Sequence, residues 1–410
     1  MSFDTPAAAV AADSAPANAR PGLMGLAKLM TMAFLGADLA PIAAALIERA
    51  RVDDGDADAL MDLSIVLMLQ GHRGIGLAVQ AQALQVKRLY RLAATKPEAV
   101  RLLAIMAPGD LMANTPLPFL LQDSDVTLDM LFVAPGESLP EPLPEHDQVF
   151  IAVAESDVNR ELLRQLDEAS ARWPQQVHNR PGRIAATRRE QAHQLLGQAA
   201  GLHVPVSVRL TRAQLEALAG EPARLVTLLP DAAFPIILRP VDSHAGNGLE
   251  KIDGAGEIGT YLATHPQAEF FLSRFVDYRG SDGQYRKYRV VLIDGLPYAG
   301  HMAISAHWMV HYLNAGMTDC PDKRGEEERF MRTFDQGFAA RHGAALRTIA
   351  QRYGLDYLVI DCAETPDGRL LVFEVDPSAV LHAMDPTDLF PYKPAQMRKV
   401  FTAFRRMLGT

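Results

Sequence analysis

The sequence predicts a mixed α/β and α+β protein with an N-terminal helical segment, a small parallel α/β domain and a larger C-terminal domain. Three observations lead to this prediction. Apolar residues recur at helical spacing up to about residue 94, buried strands alternate with a helix from about residue 99, and longer strands with glycine-containing loops follow from about residue 224. The chain of 410 residues is long enough for two or three domains.

The composition is that of a mildly acidic, soluble protein. Lys and Arg number 40 against 49 Asp and Glu, which gives a net charge of −9. This balance argues against nucleic acid and anionic membranes as partners. Hydrophobic residues make up 49% of the chain, which excludes global disorder. Cys320 and Cys362 lie far apart, so we expect no disulfide framework, no paired-cysteine zinc site and a reducing, cytoplasmic location.

The N-terminal residues carry no convincing targeting signal. Residues 1–20 are rich in Ala and Pro and have no basic start before an apolar stretch, so we expect a mobile tail there. Residues 22–47 are mostly apolar, but Lys28, Asp38 and Pro41 interrupt them. These interruptions favour buried helices over a membrane span.

A helical domain is predicted over residues 21–96. Residues 57–71 and 78–94 show helical spacing of apolar side chains, and Gly71 lies between the two segments. The pair resembles one degenerate tetratricopeptide-type repeat, with no obvious second copy. One repeat cannot bury its apolar face alone, so the pair must pack against another part of the chain.

A small α/β domain is predicted over residues 97–180. The segments 100–107, 126–134 and 148–154 have the apolar composition of buried strands, and 159–173 has the pattern of an amphipathic helix. Strands that alternate with helices indicate a parallel sheet.

The remaining residues, 181–410, are predicted to form one larger domain. A helix is predicted over 187–202, and a second, broken helix over 325–354 ends at Gly354. Two hairpins are predicted, one turning at Asp294-Gly295 and one over 365–368. Strands are predicted over 234–240, 269–277, 285–293, 296–304, 356–364 and 369–376.

The last hairpin carries acidic side chains in an otherwise apolar pair of strands. Asp361 lies in the first strand, and Glu374 and Asp376 lie two residues apart on one face of the second. Three carboxylates on one face would repel each other unless a cation sits between them. Oxygen ligands without His or Cys suit Mg²⁺ or Mn²⁺. The alternative is a solvent-facing edge with ordinary ion pairs.

The strand register decides whether these carboxylates meet. If Glu364 pairs with Arg369 at the turn, Asp361 lies opposite Val372 and Glu374 is its diagonal neighbour. A slip of one residue would place Asp361 on the other face.

Two further segments carry cations that could bind phosphate. In FPIILRPVDSHAGNG a strand ends at Arg239, and a loop with Gly246 and Gly248 follows, whose backbone N–H groups could approach phosphate. A plain surface loop is the alternative. In YRKYRVVLI, Lys287 and Arg289 share one face of a strand, where they need an anion unless that face is solvated.

Other motifs in the sequence lack the surrounding elements or ligands that their usual function requires. GAGEIG at 254–259 follows too charged a segment and precedes too short a helix for a dinucleotide site. His307 and His311 are spaced as zinc ligands but lack a clear third ligand. A Walker-type phosphate loop is also missing from the sequence.

Taken in order, these segments over residues 97–405 resemble the ATP-grasp superfamily, in particular carboxylate–amine ligases such as bacterial glutathione synthetase and the enzyme that adds glutamate to a ribosomal protein. NRPGRIAATRREQAHQLL resembles the entry into the ATP-grasp domain, and FPIILRPVDSHAGNG the phosphate strand and glycine lid. GLDYLVIDCAETPDGRLLVFEVDP resembles the metal-binding hairpin. The resemblance implies a two-lobed ATP-grasp domain over 181–410, preceded by a pre-grasp α/β domain, with ATP and Mg²⁺ bound between the lobes.

The resemblance also implies roles for individual residues. Asp361, Glu374 and Asp376 take the metal positions, Arg239 and Arg289 are the catalytic cations, and Ser273 to Val276 form the hinge that contacts adenine. The implied nucleotide-binding residues are Arg188, Arg239, His244, Gly246, Asn247, Gly248, Ser273, Arg274, Phe275, Val276 and Lys287.

The sequence departs from the family pattern at several of these positions. Arg239 and Arg188 (or Arg189) stand where the family usually has Lys, and Asp376 stands where it usually has Asn. The usual substrate-binding Arg and Asn are replaced by a segment containing His301, His307, His311 and Asn314.

The implied activity is an ATP- and Mg²⁺-dependent ligase that joins a carboxylate to an amine through an acyl phosphate. The amine acceptor would be an amino acid or a peptide, and the helical domain could hold a protein or peptide partner. The sequence leaves open whether the protein forms a homodimer. The alternatives are an ATP-grasp kinase that phosphorylates a hydroxyl and a non-catalytic, nucleotide-regulated binding protein.

Overall fold

The computed structural model describes residues 21–230, 232–241, 243 and 246–409. The predicted mobile tail over residues 1–20 lies outside the described residues. None of the helices in these ranges combines the length and the apolar character that crossing a bilayer requires.

The described chain begins with helices that are joined by short turns. They are α1 (Leu26–Phe34), α2 (Ala40–Val52), α3 (Ala57–Leu69) and α4 (Arg73–Val86). The Asp56 side chain caps α3 by accepting a hydrogen bond from the Ala59 N–H, and Gly71 ends the turn after α3 with a φ of 86°. The predicted helix over 57–71 is confirmed, whereas the similarity to a tetratricopeptide repeat is not confirmed and stays a prediction.

The predicted helix over 78–94 is wrong at its C-terminal end. The helix stops at Val86, and Leu89–Leu92 form strand β1 at the edge of the first sheet. Tyr90 is fully buried there, and its hydroxyl donates to the Ala83 carbonyl at 3.0 Å. Arg91 donates to both carboxylate oxygens of Asp129 on the neighbouring strand. These tertiary contacts outweigh the helical pattern of the segment.

The first sheet forms the predicted parallel α/β unit. Its strand order is β1-β3-β2-β4-β5, and every pair except β1 with β3 is parallel. Each residue of β3 is buried, as expected for a sheet covered on both faces. The elements are β2 (Val100–Met106), α5 (Leu117–Leu120), β3 (Val126–Phe132), β4 (Gln148–Ile151), α6 (Arg160–Ser170), β5 (Gln176–His178) and α7 (Pro181–Ile184).

The second sheet is antiparallel, with strand order β7-β10-β8-β9. Its inner face packs on α9 and α11 in a separate apolar core that includes Leu215, Leu238 and Phe270. The elements of this lobe and its approach are α8 (Arg189–Leu196), β6 (Leu202–His203), β7 (Ser207–Thr211), α9 (Arg212–Gly220), α10 (Leu225–Leu228), β8 (Ile236–Pro240), β9 (Glu250–Ile252), α11 (Ile258–Thr264) and β10 (Glu269–Arg274).

The third sheet has the order β12-β11-β13-β14-β6 and is antiparallel except for the last pair. Asp294 and Gly295, with φ of 50° and 74°, make the predicted two-residue turn between β11 and β12. The predicted broken helix is confirmed as α12 and α13, and Gly354 ends α13 with a φ of 60°. The elements are β11 (Tyr285–Ile293), β12 (Leu296–Ser305), α12 (Pro321–Arg332), α13 (Phe338–Tyr353), β13 (Tyr357–Glu364), β14 (Leu370–Asp376) and α14 (Lys393–Met407).

The predicted register of the last hairpin is wrong. Glu364 pairs with Leu370 rather than Arg369, and a β-bulge follows between Asp361 and Cys362. The bulge places an extra residue in β14, so Asp361 lies directly opposite Glu374 instead of diagonal to it. The carboxylates are therefore closer together than the sequence predicts, because Cα atoms directly opposite each other are about 4.5–5.5 Å apart.

The predicted fold class is confirmed by these elements: a helical N-terminal segment, a mainly parallel α/β sheet, and two further lobes built on the second and third sheets. The exact domain boundaries at 96 and 180 stay predictions.

Candidate active site

A cavity of about 650 Å³ lies between the second and third sheets. This volume is within the range of small-molecule sites in proteins. Strand alternation decides which side chains reach it: in β8, Ile236 and Leu238 point into the core of their lobe, while Ile237 and Arg239 line the cavity. The same alternation in β11 places Lys287 and Arg289 on the cavity face.

Arg239 is the cation that the second sheet contributes to the cavity. Burial and the neighbouring Arg189 lower the pKa of Arg239 to about 10, so the guanidinium stays charged at neutral pH. It donates to the hydroxyl of Ser243 at 3.2 Å and to the carbonyl oxygen of the same residue. Ser243 is thereby held against the strand.

Asp361 lies at the centre of an ion cluster in the third sheet. Arg289 donates to both carboxylate oxygens, at 2.8 Å and 3.0 Å, and the Lys287 ammonium lies 2.7 Å from Oδ2. Burial favours the neutral acid, but Arg289 and Lys287 outweigh it and hold the pKa of this carboxyl well below its usual range. Arg289 also donates to the Val380 carbonyl oxygen at 2.9 Å. The anion that Lys287 and Arg289 need is therefore supplied by the next strand.

Glu374 and Asp376 are less completely compensated. Arg189 of α8 lies 2.7 Å from Glu374 Oε1 and donates to the Phe373 carbonyl at 3.0 Å. Burial opposes ionisation of Glu374, but Arg189 and Arg239 hold its pKa below the usual value. Asp376 accepts from the Ser378 N–H at 2.6 Å, and burial together with the charge of Glu374 raises its pKa to about 7.

The fit of these carboxylates to a divalent cation is uneven. In the ranges that the structure describes, no group of three or more His, Cys, Asp or Glu side chains is arranged to hold a metal ion. Both oxygens of Asp361 already contact cationic side chains. Glu374 and Asp376 do fit such an ion, because they offer carboxylate oxygens and because a cation between them would relieve the repulsion that raises the pKa of Asp376. The three-ligand magnesium site stays a prediction.

Most of the predicted nucleotide-binding residues line this cavity. Arg188 also pairs with Glu155 there, with Nε 2.9 Å from Oε1. The predicted residues that line the cavity are Arg188, Arg239, Gly246, Ser273, Arg274, Phe275, Val276, Lys287, Arg289, Asp361, Glu374 and Asp376.

Two predicted residues of the glycine loop, Asn247 and Gly248, do not line the cavity. The predicted residue His244 lies outside the described residues. Gly248 has a different role, because it adopts a φ of 66° and a Cβ there would lie 2.7 Å from Pro240 Cδ. Its lack of a side chain lets the loop pack on the end of β8.

Two histidines that the sequence analysis singled out, His301 and His311, line the cavity. His301 lies directly opposite Arg289 in the β11–β12 pair. Burial, together with the positive charge of Arg289, lowers the pKa of His301 well below its usual value, and burial with the charge of Lys287 lowers that of His311. Both rings are therefore neutral at neutral pH. His307 does not line the cavity, and its Nδ1 accepts from the Met309 N–H at 3.2 Å.

Sequence reasoning missed a second group of residues that line the cavity. They come from α1, from the segment after β14 and from the start of α14, which are far apart in the sequence. The pattern around them is that of ordinary buried helices and loops, so no local signal marks them. They include Met30, Phe34, His382, Met384, Asp385, Lys393 and Met397.

Comparison with known proteins gives structural likenesses only. No family model and no curated protein sequence matches the chain. The VanG D-Ala:D-Ser ligase of Enterococcus faecalis is similar at 14% identity and a TM-score of 0.45, over 77% of this chain and 99% of that one. The D-alanine–D-alanine ligase of Bacillus anthracis, solved in complex with ATP, is similar at 13% identity and 0.42, over 75% and 98%.

A RimK domain ATP-grasp protein of Sphaerobacter thermophilus is similar at 16% identity and a TM-score of 0.41, over 75% of this chain and 97% of that one. TM-scores below 0.5 at such identities assign no reaction and no residue role to this chain. The class of site is therefore defined by its own geometry: a cleft between two sheets, with cations from both and buried carboxylates at its base.

Proposed function

We propose that the protein is an ATP- and Mg²⁺-dependent ligase that joins a carboxylate to an amine, with release of ADP and phosphate. The observation that carries the proposal is the convergence of cations from two separate sheets on one cavity. Arg239 comes from the second sheet, and Lys287 and Arg289 come from the third. Arg189 comes from α8, which contacts both sheets. Such an array suits a polyphosphate, because guanidinium and ammonium groups bind phosphate oxygens directly.

The charges of the site favour ATP together with a divalent ion. Four cations, Arg189, Arg239, Lys287 and Arg289, face the three carboxyl groups of Asp361, Glu374 and Asp376, which leaves one positive charge when all three are ionised. A triphosphate brings more negative charge than this excess can balance. Mg²⁺ held by Glu374 and Asp376, with Asp361 beside them, would supply the missing charge and polarise the phosphoryl group.

The base of the nucleotide would lie at the hinge end of the cavity. Residues 273–276 span the last two residues of β10 and the two that follow, and they line the cavity. Phe275 packs edge-on against Trp308 there, with ring centroids 5.7 Å apart. The apolar surfaces of Phe275 and Val276 suit the planar adenine ring. The phosphates would then point toward Arg239 and Arg289.

The proposed reaction has two steps. In the first, a carboxylate oxygen of one substrate attacks the γ-phosphorus, the bond to the bridging oxygen breaks, and ADP leaves. In the second, the amine nitrogen attacks the carbonyl carbon of the acyl phosphate, the carbon–oxygen bond breaks, and phosphate leaves. Arg239 and Arg289 stabilise negative charge on the transferred group in both steps.

The amine must lose a proton during the second step. His301 is suited to accept it because its imidazole is neutral and lies beside Arg289, where the acyl phosphate would form. Asp361 and Glu374 are engaged by cations. His311 and Asp376 also line the cavity, but His301 is the imidazole that lies directly opposite Arg289 in the sheet. Nε2 or Nδ1 of His301 would carry the proton away from the new amide.

An ADP-release screen with candidate acids and amines tests this proposal. We expect ADP release that requires both an acid and an amine, and a product whose intact mass equals the sum of the two substrates minus water. A product that retains phosphate would instead indicate a kinase. ATP binding without ADP release for any mixture of amino acids and peptides would contradict catalysis.

A further inference from the structure

Helix α1 lines one part of the cavity, which we call its α1 end. Met30 and Phe34 on this helix line it, and Ala27 packs with Phe119 of α5 and Met384 in one apolar cluster. The start of α1 is tied to α3, because Asp62 accepts the backbone N–H groups of Met24 at 2.8 Å and Gly25 at 2.9 Å. Helix α1 is thus part of the cavity wall.

This end of the cavity is apolar and, for the most part, uncharged. The His382 ring lies 5.4 Å from the Phe34 ring and 6.4 Å from the Phe119 ring, between centroids. Burial lowers the pKa of His382 to about 4, so the imidazole is neutral. Methionine side chains are flexible and fit apolar groups of varied shape. The apolar lining residues are Met30, Phe34, Met112, Leu381, Met384 and Met397.

One pair of opposite charges lies beside this apolar wall. Lys393 Nζ lies 3.1 Å from Asp385 Oδ2, and both residues are buried and line the cavity. Behind them, Glu327 accepts from the hydroxyls of Tyr392 and Tyr312 and lies 3.5 Å from the Lys393 ammonium. Glu327 does not line the cavity, whereas Lys393, Asp385 and Tyr312 do, so these are the members of the cluster that a ligand can reach.

A buried hydroxyl that lines the cavity has no hydrogen-bond partner among the described residues. Ser378 is 2% exposed and lines the cavity, yet its Oγ makes no hydrogen bond with any described residue. Buried polar atoms are nearly always hydrogen-bonded, so this hydroxyl is available to a polar group of a ligand.

We propose that this end of the cavity binds an α-amino acid with an apolar side chain. Its carboxylate and ammonium would meet Lys393 and Asp385, and its side chain would lie against Met30 and Phe34. The inference rests on the proposed function and names the class of one of its two substrates. The alternative occupant, adenine, is assigned above to the hinge residues 273–276, and ATP affinity distinguishes the two.

Isothermal titration of leucine, glycine and glutamate into the full chain tests the inference without requiring turnover. We expect leucine to bind at least about tenfold more tightly than glycine or glutamate, which is the usual effect of an apolar pocket on a matching side chain. Met30→Ala and Phe34→Ala should each raise the Kd of leucine about fivefold or more and leave the Kd of ATP unchanged. Leu35→Ala is the control at the end of the same helix, because Leu35 is 59% exposed and does not line the cavity.

A further variant tests the charged pair. Asp385→Asn should weaken the binding of leucine and of glycine to a similar extent. Both amino acids carry the α-ammonium group, and the substitution removes the partner of that group. Equal affinities for leucine, glycine and glutamate, or an unchanged leucine Kd in both α1 variants, would overturn the inference. Loss of ATP affinity in Met30→Ala or Phe34→Ala would assign this end to the nucleotide instead. ATP binding without amino-acid binding overturns the inference alone, and absence of both overturns the proposed function as well.

Discussion

Asp361 and Glu374 lie directly opposite each other across β13 and β14, yet each carboxylate is paired with different cations. Asp361 contacts Arg289 and Lys287 of the neighbouring strand, and Glu374 contacts Arg189 of a helix. Side-chain cations thus separate two carboxylates that would otherwise repel. This arrangement connects the phosphate-binding cations of the proposed site to its metal ligands.

Asp361→Asn should impair both catalysis and folding. The substitution leaves Arg289 and Lys287 without an anion, so we expect kcat to fall by at least about 100-fold and the free energy of unfolding to fall by about 3 kcal/mol. Steady-state ADP release and urea unfolding measure the two effects. Asp367→Asn, which breaks an exposed ion pair with Arg369 on the same hairpin, is the control and should leave both quantities nearly unchanged. Near-normal turnover in Asp361→Asn would remove this residue from the site.

Glu374→Gln should weaken the use of Mg²⁺. Loss of one carboxylate from the pair with Asp376 should raise the Mg²⁺ concentration for half-maximal ADP release by about 10-fold or more. The matched control is Glu364→Gln in β13, since the Glu364 carboxylate contacts Arg341 and His342 and does not line the cavity. An identical shift in the two variants would show that the effect is not one of metal binding.

Arg239 should contribute to catalysis through both its charge and its shape. We expect Arg239→Met to lower kcat by at least about 100-fold, because it removes a cation from the transferred phosphoryl group. Arg239→Lys should recover part of this loss, since it keeps the charge but loses the second parallel hydrogen bond. Kinetics at saturating ATP compare the two. If methionine and lysine variants are equally active, charge at this position does not matter.

His301→Gln should slow the second step of the proposed reaction and spare the first. Glutamine can still hydrogen-bond but cannot accept a proton, so we expect amide formation to fall by about 100-fold or more. Formation of the acyl phosphate, trapped with hydroxylamine, should change little. Equal losses in trapped acyl phosphate and in amide would indicate that His301 only supports the structure.

The stability of the protein should depend on pH through Asp62. Burial raises the pKa of this carboxyl to about 6 from 3.8. As pH rises, the unfolded state therefore loses its Asp62 proton before the folded state does. The protonated carboxyl contributes its full stabilisation below about pH 4, and this contribution is lost as pH rises through 6. The free energy of unfolding changes by about 3 kcal/mol over this range.

Urea unfolding between pH 4 and pH 7 measures this effect. Asp62→Asn cannot ionise, so the stability of the wild type relative to this variant should decline over that range by the amount given above. Asp58→Asn, on the same helix, is the control variant for this comparison of pH profiles. Parallel pH profiles for wild type and Asp62→Asn would contradict the raised pKa.

Much of the site follows from strand alternation, which is visible in the sequence. A period of two in β8 and β11 places Arg239, Lys287 and Arg289 on the faces that line the cavity. The bulge that brings Asp361 opposite Glu374 has no such signal, because one extra residue in β14 leaves the composition of the strand unchanged.

Contacts between distant segments were also beyond the reach of sequence patterns. Arg189 and Glu374 are 185 residues apart, and the wall formed by Met30, Phe34 and His382 joins the two ends of the chain. The strand Leu89–Leu92 was missed for the same reason, since its edge position depends on a partner strand and not on its own pattern.

The central claim is that the cavity between the second and third sheets binds ATP through cations of both. Isothermal titration of a non-hydrolysable ATP analogue with Mg²⁺ into the wild type, Arg239→Met and Arg279→Met tests it most directly. Arg279 is exposed and does not line the cavity. We expect binding by the wild type and Arg279→Met, and a Kd at least about tenfold higher for Arg239→Met. Absence of binding by the wild type, or equal affinity in all three proteins, would contradict the claim.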